Sequence, residues 1–371
     1  MSAPFSAAAI CFIACHGGPA DHFSTFAEKL AAKGHRVEIY ASGPALKKFE
    51  ERQIKNITPF SVEDGADALV QKCAKAKVVI TDVGHVFDIE LQESLAKQAP
   101  TVKRLAYYDN PESFVPGGYS ETAVKVMQAA NGVLFANANL AKMEIHGLSA
   151  NQRIGLGYYP VGKAQEIAAR RLSDVKAVRA QLFSKMELQD QGQKIWVYAG
   201  GNNKTYFEEA LPKFLDLLSE AMKENDLSQS VVVLQQHPGA KADNRDGALL
   251  QKWASQHAQA AHAPRLVLST LNSDEAQVVA DQMLYNQTSM GPQFVLAGIP
   301  TIQVGPTYED ILVKNKLCSI ATNVGELLGA LTLDAKGDSV EAVIREGLGI
   351  SPDWFERLEQ VLVHREGPGD A

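Results

Sequence analysis

The sequence predicts an α/β chain of two doubly wound, Rossmann-like domains facing a cleft. Three observations predict this. Short apolar runs alternate with amphipathic segments along nearly the whole chain, as expected for parallel strands covered by helices on both faces. The alternation falls into two series, joined by a charged, Gln-rich stretch within 158–192. The length of 371 residues suits about two domains.

The first series opens with a buried strand over 8–15. A helix over 21–33 follows, with Phe23, Phe26, Ala27 and Leu30 at helical spacing and Gly34 ending it. Strands are then predicted at 36–41, 78–82, 102–108 and 132–137, and helices at 65–74, 89–97 and 120–130. An Ala/Arg-rich helix over 165–182 occupies the join. The second series has strands at 194–199, 230–236, 265–269, 282–285 and 301–305, with helices at 206–223 and 245–258. Another helix starts after Asn272, a cap whose capping box is completed by Glu275. The domains expected are 1–160 and 161–350. A terminal segment, 351–371, carries a closing helix over 353–365 with Trp354, Leu358, Val361 and Leu362 on one face, placed to pack on the first domain. The tail 366–371 is expected to be disordered.

Hydrophobic residues make up 46% of the chain, which excludes wholesale disorder. The net charge of −7 argues against nucleic acid as a partner. Cys11, Cys15, Cys73 and Cys318 show no CxxC spacing, so neither a disulfide scaffold nor a metal site is expected. Met1 to Phe5 lacks a basic signal-peptide start, and the apolar stretch 7–15 is too short to span a bilayer. The expected location is cytoplasmic, compatible with peripheral contact at the inner face of a membrane.

Ligands of such sheets bind outside the carboxyl ends of the strands, so each strand-to-helix loop is a candidate. His16-Gly17-Gly18 begins the first, and the glycines let a ligand approach the backbone. His16 or His22 can act as a base near neutral pH, and Asp21 is placed to cap the helix or to share that role. Asp82 and His85 stand in the second loop. Tyr108 and Asp109 begin a long third loop through Ser113, Pro116 and Gly117, whose aromatic, hydroxyl and carboxylate groups suit a sugar-like ligand. Gly200, Gly201, Asn202 and Lys204 form an anion-cradling turn without the P-loop pattern. His237 precedes the turn Pro238-Gly239 and is placed to contact a nucleotide or phosphate. Thr288 or Ser289 is expected to cap a helix opened by Gly291. Glu309 and Asp310 offer acceptors to substrate hydroxyls, or simply favour a helix start.

The run from Thr288-Ser289-Met-Gly291-Pro292-Gln293 to Ala297-Gly298-Ile-Pro300 and Gly305 resembles the nucleotide-binding segment of GT-B glycosyltransferases. It also resembles that of the UDP-N-acetylglucosamine 2-epimerases, which share the fold. The resemblance implies a donor diphosphate at the helix start and a ribose contact at the position of Gln293, where the family carries Glu. Gly200-Gly201-Asn202-Asn203-Lys204 is closer to the Gly-Gly turn of the transferases than to the His-Arg-Arg-Glu-Asn run of the epimerases. Gln236-His237-Pro238 is similar to an epimerase segment. His16-Gly17-Gly18 resembles the transferases' first loop, where a base for the acceptor hydroxyl often sits.

Together these features imply a glycosyltransferase that moves a sugar from a nucleotide-sugar, with a UDP-sugar favoured, to an acceptor hydroxyl without an obligatory metal. The donor would be held by Gly200, Gly201, Asn202, Lys204, His237, Thr288, Ser289, Gly291 and Gln293. The acceptor would meet Gly17, Gly18, Asp82, His85, Tyr108, Asp109, Glu309 and Asp310, with His16, Asp21 or His22 as base. A sugar-nucleotide epimerase and a non-catalytic binding protein on the same scaffold are the alternatives.

Overall fold

The computed structural model describes residues 9–112, 118–145, 147–187, 189–237, 244–334 and 340–363. Ser113, Pro116, Gly117, the turn Pro238-Gly239 and the tail 366–371 lie outside these ranges. The chain divides into two compact units, Met1–Tyr159 with Arg345–Ala371, and Pro160–Ile344.

The first unit runs β1 (Ile10–Ala14), α1 (Gly17–Ala32), β2 (Val37–Ala41), α2 (Gly43–Glu51), β3 (Ile57–Pro59) and α3 (Asp67–Cys73). It continues through β4 (Val78–Thr81), α4 (Val86–Gln98), β5 (Lys103–Tyr108), α5 (Gly118–Ala129), β6 (Gly132–Phe135) and β7 (Arg153–Gly155). All strand pairs are parallel, in the order β3-β2-β1-β4-β5-β6-β7. The chain builds outward from β1 to β3, then returns to β4 on the other side. The order therefore reverses between β1 and β4, where two diverging loops open a crevice.

The second unit has α6 (Val161–Ser173), α7 (Val175–Lys185), β8 (Lys194–Gly200), α8 (Leu211–Glu224), β9 (Ser230–Gln235), α9 (Arg245–Gln256), β10 (Arg265–Leu268) and α10 (Ser273–Val279). Then come β11 (Gln282–Asn286), α11 (Gly291–Leu296), β12 (Thr301–Val304), α12 (Ile311–Lys314), β13 (Ser319–Ala321) and α13 (Val324–Ala330). Its sheet is also parallel, ordered β10-β9-β8-β11-β12-β13, with the reversal between β8 and β11. Helix α14 (Val340–Gly347) bridges back to the first unit, where α15 (Trp354–Val363) closes the chain.

Strands β1 and β4 are buried at every position because helices cover both faces. One face of the first sheet packs on Phe23, Phe26 and Leu30 of α1 and Leu358 and Leu362 of α15. Trp354 reaches that core, with ring centroids 4.5 Å from Tyr158 and 5.4 Å from Phe26. Lys103 donates to Val361 O at 2.7 Å and Lys77 donates to Val363 O, so two cations satisfy the last carbonyls of α15. The other face holds Cys11, Cys15 and Cys73, and all four cysteines are buried and outside any disulfide. Around Asn272 the capping box is complete: its side chain accepts from Asp274 N and Glu275 N at 3.0 and 2.9 Å, and Glu275 accepts from Asn272 N at 3.0 Å.

Helix α1 begins at Gly17, four residues before the expected start, with His16 in extended backbone as its N-cap. Pro19 fits because a first-turn N–H has no intrahelical acceptor to lose. Helix α8 is preceded by a π turn over Tyr206–Ala210. Among the described residues no helix is long and apolar enough to cross a membrane.

Candidate active site

The crevice between β1 and β4 is built around Asp82, whose side chain is fully buried. Its Oδ2 accepts from the backbone N–H of Cys15 and of His16, both at 2.9 Å, and faces His16 Nδ1 at 3.2 Å. One carboxylate oxygen thus ties the end of β1 to the end of β4 and fixes the imidazole. His16 is 40% exposed. Burial disfavours the charged imidazole, but the hydrogen bond and charge of Asp82, with Asp109 behind them, hold its pKa above the usual value. Burial opposes ionisation of Asp82 too, yet hydrogen bonds from His16 and Asp88 keep its pKa below the carboxylate range.

Two glycines make room for this pair. A Cβ on Gly84 would stand 2.6 Å from His16 Cε1 and 2.7 Å from Nδ1, and one on Gly18 would collide with the Asp109 carboxylate. Asp109, at the end of β5, is partly buried, and burial and the charge of Asp82 push its pKa up to about 7. His85 caps α4: its Nδ1 accepts from Phe87 N at 3.0 Å, which places the ring proton on Nε2. Burial, then the charge of His16, lowers its pKa, so His85 is the neutral neighbour, its ring 6.2 Å from that of His16.

His16, Gly17, Gly18, Asp82, His85 and Asp109 therefore share the strand ends β1, β4 and β5. Other predicted residues stand elsewhere. Asp21 lies inside α1, not at its start, and accepts from Arg52 Nε at 2.9 Å. His22 is buried in the core, Nδ1 2.7 Å from Tyr107 Oη with Tyr158 packed edge-on to its ring, so it is not placed to act as a base. Tyr108 points into the core with α5 and donates to Glu112 O at 3.4 Å, so it offers no substrate contact. Asp310 is buried as the cap of α12, accepting from Val313 N at 2.9 Å, Tyr285 Oη at 2.7 Å and Gln303 Nε2 at 3.1 Å. It serves the helix start, while its neighbour Glu309 is exposed.

The second unit has the corresponding crevice between β8 and β11. Asn203 Nδ2 donates to Gln287 Oε1 at 2.8 Å, tying the two loops together. Gly201 is required by packing, since a Cβ there would stand 2.9 Å from Gln287 O. Gly200 leaves room for the Tyr206 ring. Asn286 Nδ2 donates to Val304 O and Pro306 O at 2.9 and 3.0 Å. The side-chain oxygens of Asn202 and Asn286 are buried, and among the described residues neither has a hydrogen-bond partner. Lys204 is exposed, 3.8 Å from Glu208, and His237 and Ser289 are exposed.

Neither Thr288 nor Ser289 caps α11. Met290 holds that position, and Thr288 Oγ1 accepts from Met290 N at 3.3 Å. Gly291 is packed, its would-be Cβ 3.1 Å from Leu312 Cδ1. Gln293 is buried and its Nε2 donates to Gln277 Oε1 at 3.1 Å, so that nitrogen is engaged inside the unit. Among the described residues no group of three or more His, Cys, Asp or Glu is arranged to hold a metal ion.

Sequence reasoning passed over Asp88 and Asn286. Asp88 stands three residues after His85, the spacing of a capping box, and Asn286 ends an apolar strand beside the crevice.

No family model and no curated protein matches the chain. Solved structures do. A glycosyltransferase from Rickettsia africae superposes at a TM-score of 0.65 with 11% identity, covering 98% of this chain and 100% of its own. UDP-GlcNAc 2-epimerase from Neisseria meningitidis, bound to UDP-GlcNAc, gives 0.64 with 10% identity over 96% and 99%. UDP-GlcNAc 2-epimerase from Methanocaldococcus jannaschii gives 0.61 with 13% identity over 95% and 99%. The fold is of the GT-B type, and at these identities the likeness is one of fold.

Proposed function

We propose that this protein is a nucleotide-sugar enzyme of the glycosyltransferase type, with His16 as the base that activates an acceptor hydroxyl. The observation that carries the reading is the His16–Asp82 pair at the reversal point of the first sheet. With Nδ1–H directed at Asp82, the lone pair of Nε2 takes the hydroxyl proton as the oxygen attacks the sugar carbon and the bond from that carbon to the diphosphate breaks, releasing the nucleoside diphosphate. The charge of Asp82 stabilises the imidazolium so formed. The Nε2–H of His85 is a fixed neutral donor beside it, suited to orienting the same hydroxyl or its neighbour. A nucleotide-sugar, UDP-sugar first, is assigned to the β8/β11 crevice, where Asn202 and Asn286 offer buried acceptors. The solved epimerase that carries UDP-GlcNAc on this fold supports that ligand class.

An epimerase reading is favoured by the same neighbours, two of which are named UDP-GlcNAc 2-epimerases. The two readings separate by incubation with UDP-sugars. A transferase releases UDP only with a hydroxylated acceptor, and His16→Ala lowers that rate by about 10²–10⁴-fold. An epimerase changes the sugar without acceptor. Neither product from any UDP-sugar, in the presence of a broad acceptor set, refutes the catalytic reading.

A further inference from the structure

Asp82 does not face His16 alone. Asp88, from the first turn of α4, lies within hydrogen-bonding reach of it, and both carboxyls are fully buried. Oδ2 of Asp82 is occupied by the three donors already described, and Oδ2 of Asp88 accepts from His85 N at 3.0 Å. The oxygen left on each side is Oδ1, and both are buried, with no donor bonded to either among the described residues. Two ionised carboxylates in one dry site repel, whereas a single proton between them satisfies both oxygens. The other titratable groups facing the pair are Cys15 and His16 at the end of β1, His85 at the start of α4 and Asp109 at the end of β5. Of these only His16 is a cation that could compensate a second negative charge, and it is already bonded to Asp82.

We propose that Asp88 is a positioning residue that keeps one proton, shared with Asp82, and so holds the Asp82 carboxylate in the single orientation that fixes His16. The Asp88 Oδ1–H donates to Asp82 Oδ1, and Asp82 accepts Nδ1–H of His16 through its other oxygen. Asp88 touches no reacting atom, and the proton stays on the acid pair throughout. Burial and the charge of Asp82 push the Asp88 pKa far above the ordinary carboxyl value, in keeping with this state. The arrangement links the cap of α4 to the imidazole, so His85 and His16 are set by one buried unit. The importance for turnover rests on the reading of His16 as base, but the location of the proton does not.

The test is the titration of His16, followed by NMR of ¹⁵N-histidine-labelled full-length protein, in wild type and Asp88→Asn. The asparagine amide donates to Asp82 as the acid does and still accepts from His85 N. A shared proton predicts that the His16 pKa in the variant stays within about 0.3 of wild type, because no charge has been removed. A larger fall means that Asp88 was ionised and overturns the proposal. Should the variant fail to fold, the ¹³C carboxyl signals of the wild type decide. One fully buried aspartate, assigned to Asp88 from its backbone connectivity, remains protonated at about pH 6, and finding it ionised there overturns the assignment. For the positioning role, Asp88→Ala loses turnover with KM unchanged while Asn restores it. Equal turnover in the Ala variant and wild type overturns that role. A wild type inactive on all nucleotide-sugars would count against the proposed function, and the titrations would still decide the proton.

Discussion

Gly84→Ala perturbs the candidate base without altering any polar group. The added Cβ would sit 2.6 Å from His16 Cε1, and ordinary contacts begin at 3.4 Å, so the ring must retreat by about 0.8 Å. Asp82 is fully buried and held by two backbone N–H groups, whereas His16 is 40% exposed, so the imidazole yields toward solvent. The Nδ1–Oδ2 separation starts at 3.2 Å. A retreat of that size stretches it beyond about 3.6 Å, past the limit of a hydrogen bond. Gly84 does not have a positive φ, so alanine brings no backbone strain. The expected result is a folded protein in which the His16 pKa falls toward or below the ordinary imidazole value, since burial remains and the Asp82 bond is lost. Turnover by the proposed mechanism drops about 100-fold, the usual consequence of a displacement near 1 Å. The assay is NMR titration of His16 together with kcat/KM on the working donor and acceptor. An unchanged His16 titration in Gly84→Ala would refute the claim that this glycine seats the dyad.

Other outcomes follow from the same contacts. Asp82→Asn removes the charge that outweighs burial, so His16 titrates lower than in wild type and the acid limb of any pH–rate profile moves to lower pH. Asp109 has a folded pKa raised to about 7, above the unfolded value of about 3.9. Its contribution to stability is thus full below that unfolded value and is lost as pH rises toward 7. Asp109→Asn therefore gains on wild type between about pH 4 and 7 and no further above, as read from urea midpoints across that range. Leu358→Ala in α15 empties a fully buried site and costs about 2–5 kcal/mol, whereas the exposed Leu172 on α6 can be replaced within about 0.5 kcal/mol.

The periodicity of the sequence was enough to read the central strands and the two series of the GT-B fold, because strands buried on both faces leave unbroken apolar runs. The capping box at Asn272 and Glu275 was legible for a local reason, since both partners lie within one turn. Helices α2, α13 and α14 and strands β3, β7 and β13 are not predicted by the sequence pattern. The three strands are three residues each, and only one of their nine positions is buried, so little pattern marks them. The start of α1 was misplaced because Gly17, Gly18 and Pro19 carry turn chemistry that the N-cap position of His16 overrides. Burial of polar residues was the larger obstacle. His22 pairs with Tyr107, Gln293 with Gln277, and Asp310 with Tyr285 and Gln303. Apart from Gln303, seven positions before Asp310, these partners are remote in sequence, so a side chain satisfied in the core looks the same on paper as one awaiting a ligand. Asp82 and His16 are likewise 66 positions apart, and only the parallel pairing of β1 with β4 brings them together.

The most direct test of the account is equilibrium binding of UDP-sugars to the full-length protein, followed by thermal unfolding and by calorimetry. A ligand that binds only the folded state at 100 times its Kd adds about 2.7 kcal/mol. The account predicts stabilisation by UDP and at least one UDP-sugar, weakened when Asn202→Ala and Asn286→Ala remove the buried acceptors of the second crevice and unaffected by His16→Ala. Absence of binding by every nucleotide and nucleotide-sugar at millimolar concentration would contradict it.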